Sequence, residues 1–132
     1  MLLPEWYLPA ATGRDASADD LATYREAWRR CLAALPPMAD TLLLRDYHQD
    51  NLLLLPSRPG VRACGVLDFQ DAVIGPVTYD LVSLLRDAYI QWDEEMVLDW
   101  AIRYWERARK AGLPVSHDVD DFYRDFEFMG LQ

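Results

Sequence analysis

The sequence contains few of the residues and runs that would place it in several large protein classes. It has two cysteines, Cys31 and Cys64, in no CxxC or Cys–His arrangement, which argues against a zinc site or a disulfide framework. Its apolar runs are short, such as the four leucines at 52–55, whereas a helix needs about 20 apolar residues to cross a bilayer. The start of the chain lacks the basic segment of a signal peptide. We therefore expect a cytoplasmic protein with free, buried thiols.

Positive charge is also scarce. Thirteen Lys and Arg residues face 22 Asp and Glu residues, which gives a formal net charge of −9, and Lys110 is the single lysine. A surface this acidic repels nucleic-acid phosphates and anionic lipids, so we expect no nucleic-acid and no membrane partner. Apolar residues make up 52% of the chain, enough to bury the core of one domain or of part of a larger one.

The N-terminal quarter of the chain contains one clear helical pattern. Apolar residues recur at the spacing of an amphipathic helix over 17–35. Ser17 is a typical N-cap residue, and Pro36 with Pro37 would end the helix. Residues 1–16 contain spaced prolines and a glycine, and we predict that they are irregular.

Short strands and longer helices follow. Apolar, β-compatible runs predict strands over Thr41–Arg45, Leu52–Leu55 and Val61–Leu67, which form a small sheet that carries loops. The helical period then returns and predicts the last three helices, over 79–91, over 93–111 and from about residue 117 onward. The sequence thus predicts an α+β chain that is mostly helical.

Oxygen-bearing side chains are concentrated in the loops beside these strands. Asp46 and Asn51 lie between the first two predicted strands, and Asp68 directly follows the third. Carboxylate and amide oxygens are hard donors that suit Mg²⁺ bound together with substrate phosphates, and a further carboxylate can accept the proton of an attacking hydroxyl. Asp and Asn are also common turn residues, so the spacing of Asp46 and Asn51 alone leaves plain turns as the alternative.

The longer pattern resembles a known family. Leu-Arg-Asp-Tyr-His-Gln-Asp-Asn-Leu at 44–52, Leu-Asp-Phe-Gln-Asp-Ala at 67–72 and Tyr-Asp-Leu-Val-Ser-Leu-Leu-Arg-Asp at 79–87 resemble the aminoglycoside phosphotransferases, a kinase-like family. Within that family the motifs are nearest to the bacterial cell-wall amino-sugar kinases, which act on N-acetylmuramate or N-acetylglucosamine. The resemblance implies the C-terminal lobe of a protein-kinase-like fold, in which a small β-hairpin sheet carries the catalytic and metal loops.

The resemblance also implies residue roles. Asp46 would be the catalytic base, and Asn51 and Asp68 would hold the Mg²⁺ that bridges the phosphates of ATP. Three residues would support the catalytic loop: Asp80, His48 and Arg45. The implied activity is the transfer of the γ-phosphate of ATP to a hydroxyl of a small-molecule acceptor, an amino sugar or an aminoglycoside-like compound.

Two departures from the family pattern affect this interpretation. The family often has His two positions before the catalytic Asp, where this chain has Leu44; the change weakens the motif without removing a ligand. In addition, no Gly-rich loop precedes Asp46, and Lys110 comes well after it. The Gly-rich loop and the ATP-binding lysine of an N-terminal lobe are therefore absent from this sequence.

We therefore expect a fragment, a partial C-terminal lobe over 1–132 that is inactive alone without the ATP-binding N-terminal lobe. Its expected parts are an interlobe connection over 1–16, a helix over 17–35, catalytic and metal loops over 41–75, and a helical substrate subdomain over 78–132. The alternative is a non-catalytic, pseudokinase-like binding module. The absent lysine and Gly-rich loop favour that alternative, and the complete set of Asp46, Asn51 and Asp68 disfavours it.

Overall fold

The computed structural model describes residues 3–35 and 38–131, and the chain divides into two units, residues 1–36 and 37–132. In the first unit a π-helical turn, Leu3–Tyr7, leads into helix α1, Leu8–Thr12. The prediction of an irregular segment over 1–16 was wrong. Pro9 lies in the first turn of α1, where a missing backbone N–H does not interrupt the helix.

Helix α2, Ala18–Ala33, begins with the predicted N-cap. The Ser17 hydroxyl accepts from the backbone N–H of Asp20 at 3.1 Å, and the Asp20 carboxylate accepts from the N–H of Ser17 at 3.0 Å. This capping box satisfies N–H groups that the helix itself leaves unpaired. The predicted stop at Pro36 and Pro37 lies outside the described residues.

Four short strands form two antiparallel pairs in the second unit. Strand β1, Asp40–Leu43, pairs with β4, Val73–Pro76, and β2, Leu52–Leu54, pairs with β3, Cys64–Val66. All three predicted strands are shorter than expected: β1 ends at Leu43, β2 ends at Leu54, and a 3₁₀ turn occupies the residues directly before Cys64. Strand β4 was not predicted; its sequence, Val-Ile-Gly-Pro, contains a glycine and a proline, which are uncommon within strands.

Three helices build the core of the second unit. They are α3, Tyr79–Leu85, α4, Glu94–Lys110, and α5, Val119–Met129. The largest fully buried side chains of the described residues include Phe122 and Phe126, which pack with Val97 and Ala101. Burying such side chains stabilises each by about 1.5–3 kcal/mol, so α5 is a major source of core stability.

The observed architecture confirms the prediction of an α+β chain rich in helix with small antiparallel sheets. The assignment to a C-terminal lobe stays a prediction. Cys31 and Cys64 are free, but both are exposed, so the prediction of buried thiols was wrong. No helix in the described parts of the chain is long and apolar enough to cross a membrane.

Candidate active site

The loop after β1 is held by a carboxylate at the start of α3. The backbone N–H of Leu44 donates to Oδ2 of Asp80 at 2.7 Å, and the N–H of Arg45 donates to Oδ1 of Asp80 at 3.1 Å. One side chain thus accepts from two consecutive peptide groups far away in the sequence. Hydrogen bonds to a charged acceptor are roughly twice as strong as neutral ones, so Asp80 fixes the backbone directly before Asp46.

Three residues of these loops have left-handed backbone conformations. The φ angles of Arg45, Asp46 and Asp68 are 61°, 41° and 56°. No other non-glycine residue in the described ranges has a positive φ. This conformation costs an L-residue about 1–2 kcal/mol, so surrounding contacts must hold it. Strain of this kind clusters at functional sites, and here it falls in the two loops that the sequence analysis selected.

The side-chain amide of Asn51 is oriented by its own loop. Its nitrogen donates to the backbone oxygen of Asp46 at 2.9 Å and lies 3.5 Å from Nε2 of His48. With the imidazole hydrogen on Nδ1, Nε2 of His48 is an acceptor. The amide oxygen of Asn51 has no hydrogen-bond partner among the residues that the structure describes. The loop therefore leaves a hard oxygen donor available.

Asp68 lies at the same end of the β2–β3 pair as Asn51. Strand β2 begins directly after Asn51, and the N–H of Leu67 donates to the backbone oxygen of Asn51 at 2.9 Å. Because Asp68 follows Leu67, its backbone is a neighbour of Asn51. The side-chain amide of Gln70 donates to Oδ1 of Asp68. The backbone oxygen of Asp46 and the backbone directly before Asp68 thus both lie beside Asn51.

Burial and nearby negative charge raise the pKa of two phenols, Tyr47 and Tyr104. Burial raises the pKa of Tyr47, and the nearby Cys64 and Asp80 raise it further. Burial, and then the charge of Asp80, raises the pKa of Tyr104 on α4. Neither phenol is therefore a candidate base, whereas the Asp46 carboxylate is exposed and open to an acceptor.

The donor set fits Mg²⁺. Within the described residues no group of three or more His, Cys, Asp or Glu is arranged to hold a metal, which argues against a site built entirely from such side chains. Asn51 offers its free amide oxygen, and Asp68 offers a carboxylate. Mg²⁺ is typically bound by one or two protein oxygens together with substrate phosphates and water, so this small set is sufficient.

Two features of this region were not predicted from the sequence: the contact of Gln70 with Asp68 and the position of His48. Gln70 is a polar residue two positions after Asp68, and its contact with that carboxylate follows from a local turn. The Nδ1 atom of His48 is buried and has no hydrogen-bond partner among the described residues. The resemblance implied that His48 supports the loop and indicated no partner; in the structure His48 lies beside Asn51.

The structure therefore defines an α+β protein with polar, strained loops at the ends of short strands, an arrangement typical of enzymes. The profile of the phosphotransferase enzyme family, APH, matches residues 1–113. The chain belongs to this family, as the motifs around Asp46 and Asp68 predicted.

Curated relatives agree with this assignment. The chain is 49% identical over 135 residues to the N-acetylmuramate/N-acetylglucosamine kinase of Neisseria meningitidis serogroup B, with 99% of this chain and 38% of that protein covered. It is 37% identical over 131 residues to the proteins of the same name from Pseudomonas putida and Pseudomonas aeruginosa, with 99% of this chain and 37% of each relative covered. The chain thus spans less than two fifths of the length of these relatives.

Proposed function

We propose that this chain is part of a small-molecule kinase that transfers the γ-phosphate of ATP to a hydroxyl of an amino sugar, either N-acetylmuramate or N-acetylglucosamine. The names of the relatives support this acceptor class. The observation that carries the proposal is the pair of hydrogen bonds that the backbone N–H groups of Leu44 and Arg45, directly before Asp46, donate to Asp80. A plain surface turn has no need for such an anchor.

In this proposal Asp46 is the catalytic base. Its exposed carboxylate accepts the proton of the acceptor hydroxyl and orients the oxygen toward the phosphate. Asp80 is a positioning residue, since it holds the backbone of Leu44 and Arg45. His48 orients the amide of Asn51 and leaves its oxygen for the metal.

Asn51 and Asp68 are the residues that would hold Mg²⁺. When bound, the ion neutralises the charge of the phosphates of ATP. The acidity of the chain is compatible with this function because the metal ion supplies the positive charge at the phosphates. The cytoplasmic location expected from the sequence remains a prediction.

The first experiment replaces the proposed base in the longer protein that contains this chain. Asp46→Asn should lower kcat by about two to four orders of magnitude, the usual contribution of a general base, and should leave the dissociation constant of ATP nearly unchanged. Asp50→Asn is the matched control, since Asp50 is an exposed carboxylate of the same loop, and it should keep near-normal kcat. A near-normal rate for Asp46→Asn would remove Asp46 from its role.

We also propose that residues 1–132 alone do not turn over ATP. No Gly-rich loop or lysine precedes Asp46 in this sequence, and kinases of this type use both to hold the nucleotide. Magnesium-dependent ATP turnover by the purified 132-residue chain would contradict this. If the longer protein also lacks kinase activity but binds the sugar, the pseudokinase-like binding module is the better interpretation.

A further inference from the structure

A small cleft lies beside the loop that carries the proposed base. It has a volume of about 260 Å³ and is lined by Arg45, Tyr79, Leu43, Met129 and the whole of β4. Complete ligand pockets usually measure about 300–1,000 Å³. A cleft of this size therefore suits one substituent of a ligand better than a whole sugar.

The Arg45 side chain is the cation of this cleft. It is exposed, and no carboxylate of the described residues pairs with its guanidinium. Arg14, Arg29, Arg86 and Arg103, in contrast, each form an ion pair at 2.5–2.8 Å. In a chain with a net charge of −9, an unpaired guanidinium next to Asp46 is available for an external anion.

The backbone of this cleft is rigidly placed. The N–H of Arg45 donates to Asp80, and Tyr79 directly precedes Asp80. Arg45 also has the left-handed φ of 61°, which sets the direction in which its side chain leaves the backbone. Arg45 lines the cleft, whereas Asp46, the next residue, is not among its lining residues.

The chemistry of the cleft matches a carboxylate. A guanidinium binds a carboxylate through two parallel N–H donors, and Tyr79, whose phenol can donate a hydrogen bond, also lines the cleft. The apolar wall from Leu43, Val73 and Met129 suits a short aliphatic group that carries the carboxylate. The two acceptors of the proposed function differ in such a group, because N-acetylmuramate carries a lactyl ether with a carboxylate and N-acetylglucosamine has a free hydroxyl instead.

We infer that Arg45 and Tyr79 form a carboxylate subsite that selects the anionic acceptor, N-acetylmuramate, over the neutral one. This inference rests on the proposed function. It assigns to Arg45 a contact with the acceptor in addition to its support of the loop, and it makes Arg45 a specificity-determining residue.

The test measures kcat/KM for both sugars in the longer protein and compares their ratio among variants. Arg45→Met removes the charge and keeps the length, and it should lower the ratio of N-acetylmuramate to N-acetylglucosamine by about tenfold or more, since a charged hydrogen bond contributes at least that factor. Arg45→Lys should lower the ratio less. Arg62→Met, which removes another exposed arginine, should leave the ratio unchanged.

A ratio for Arg45→Met within twofold of the unmodified protein would overturn the inference, because a purely structural role affects both sugars equally. If a variant turns over too slowly to measure, the ratio of the two dissociation constants from calorimetry decides instead. If the unmodified protein phosphorylates neither sugar, the proposed function fails, and the same dissociation constants still test the subsite. Absence of N-acetylmuramate binding to the unmodified protein would also overturn it.

Discussion

At the scale of single residues, Asp80 connects two parts of the second unit that are distant in sequence. Its two carboxylate oxygens each accept one backbone N–H, from Leu44 and Arg45. The bond from Leu44 is part-buried and the bond from Arg45 is exposed; a buried N–H that loses its acceptor costs about 1–3 kcal/mol, so the loss at Leu44 should be the larger. The conformation next to Asp46 therefore depends on one distant side chain.

Replacement of Asp80 should destabilise the fold. Asp80→Ala should lower the free energy of unfolding by about 2 kcal/mol or more, because two charge-assisted hydrogen bonds are lost. Asp80→Asn keeps one carbonyl oxygen and should have an intermediate effect. Urea denaturation monitored by circular dichroism measures both changes. Asp71→Ala, at an exposed loop position, is the control, and an equal loss in that variant would show that the Asp80 hydrogen bonds do not matter.

For the site residues, the sequence predicted the position in the loops but not the backbone conformation. The spacing of Asp46 and Asn51 and the position of Asp68 after a strand placed all three at loop ends, which is where the structure has them. The left-handed φ of Arg45, Asp46 and Asp68 was not predictable, because these residue types do not require it. At Arg45 the N–H is held by Asp80, 35 residues away in the sequence, and no local pattern predicts that contact.

At the scale of elements, the start of α2 is governed by charge as well as by the cap. The Asp20 carboxylate accepts from Arg14 at 2.8 Å and from the N–H of Ser17. The hydrogen bond from Arg14, followed by those from Ser17, lowers the pKa of Asp20 from 3.8 to about 2. The ionised carboxylate also interacts favourably with the positive end of the helix.

This lowered pKa predicts an acid-sensitive helix start. A carboxyl group whose pKa is lower in the folded state stabilises that state fully above its ordinary pKa and loses this contribution as the pH falls through the folded value. The loss should therefore occur between about pH 4 and pH 2. NMR titration of the Asp20 side chain should give the low pKa, and Arg14→Gln should raise it more than Ser17→Ala. An ordinary pKa in the unmodified chain would contradict the capping arrangement.

Strand β4 depends on a glycine that faces a buried leucine. A Cβ at Gly75 would lie 2.7 Å from Cδ1 of Leu43, which is 3% exposed and has little room to move. Gly75→Ala should therefore destabilise the fold by about 1–3 kcal/mol, the usual effect of overpacking. In a Leu43→Ala background the same substitution should cost less, and a double-mutant cycle of denaturation experiments measures this difference. Equal effects in the two backgrounds would mean that the contact is unimportant.

The same strand explains why the sheets were only partly predicted. The Gly75-Pro76 pair is a typical turn signal, and no strand was predicted over Val73–Pro76. In the structure Pro76 pairs with Asp40 at the last position of a two-stranded sheet, and proline is tolerated at an edge because no further strand needs the N–H that proline lacks. The requirement for glycine comes from Leu43, which is distant in the sequence.

At the scale of the whole molecule, one arginine at the end of α3 connects the three core helices of the second unit through ion pairs with α4 and α5. Arg86, directly after α3, donates to Glu94 of α4 at 2.5 Å and to Glu127 of α5 at 2.8 Å. Its guanidinium also lies 5.8 Å from the centre of the Phe126 ring. The sequence predicted each helix from its apolar period, but it could not predict this connection, because the partners are 8 and 41 residues away.

The effect of this connection should exceed that of an ordinary surface ion pair. Arg86→Met removes both ion pairs and the contact with the ring, and it should lower the free energy of unfolding several-fold more than Arg103→Met. Arg103 pairs with Asp99 on the same helix, and a pair of this kind contributes only about 0.2–0.5 kcal/mol. Because the Arg86 side chain is 29% exposed and its partners are more exposed still, solvent screening limits the gain from charge. Equal losses of unfolding free energy in the two variants would show that the Arg86 ion pairs stabilise the fold no more than the surface pair of Arg103 and Asp99.

The pH dependence of folding stability offers a second, independent measurement of the ion pairs that Arg86 forms with Glu94 and Glu127. The hydrogen bond from Arg86 lowers the pKa of Glu94 below its ordinary value of 4.5. This contribution to stability is complete above about pH 4.5 and declines as the pH falls below that value. The stability difference between the unmodified chain and Arg86→Met should therefore shrink on acidification, and denaturation midpoints at pH 7 and pH 3 measure it. A constant difference would assign the effect of Arg86 to its packing against Phe126, since that contact does not depend on the ionisation of Glu94 or Glu127.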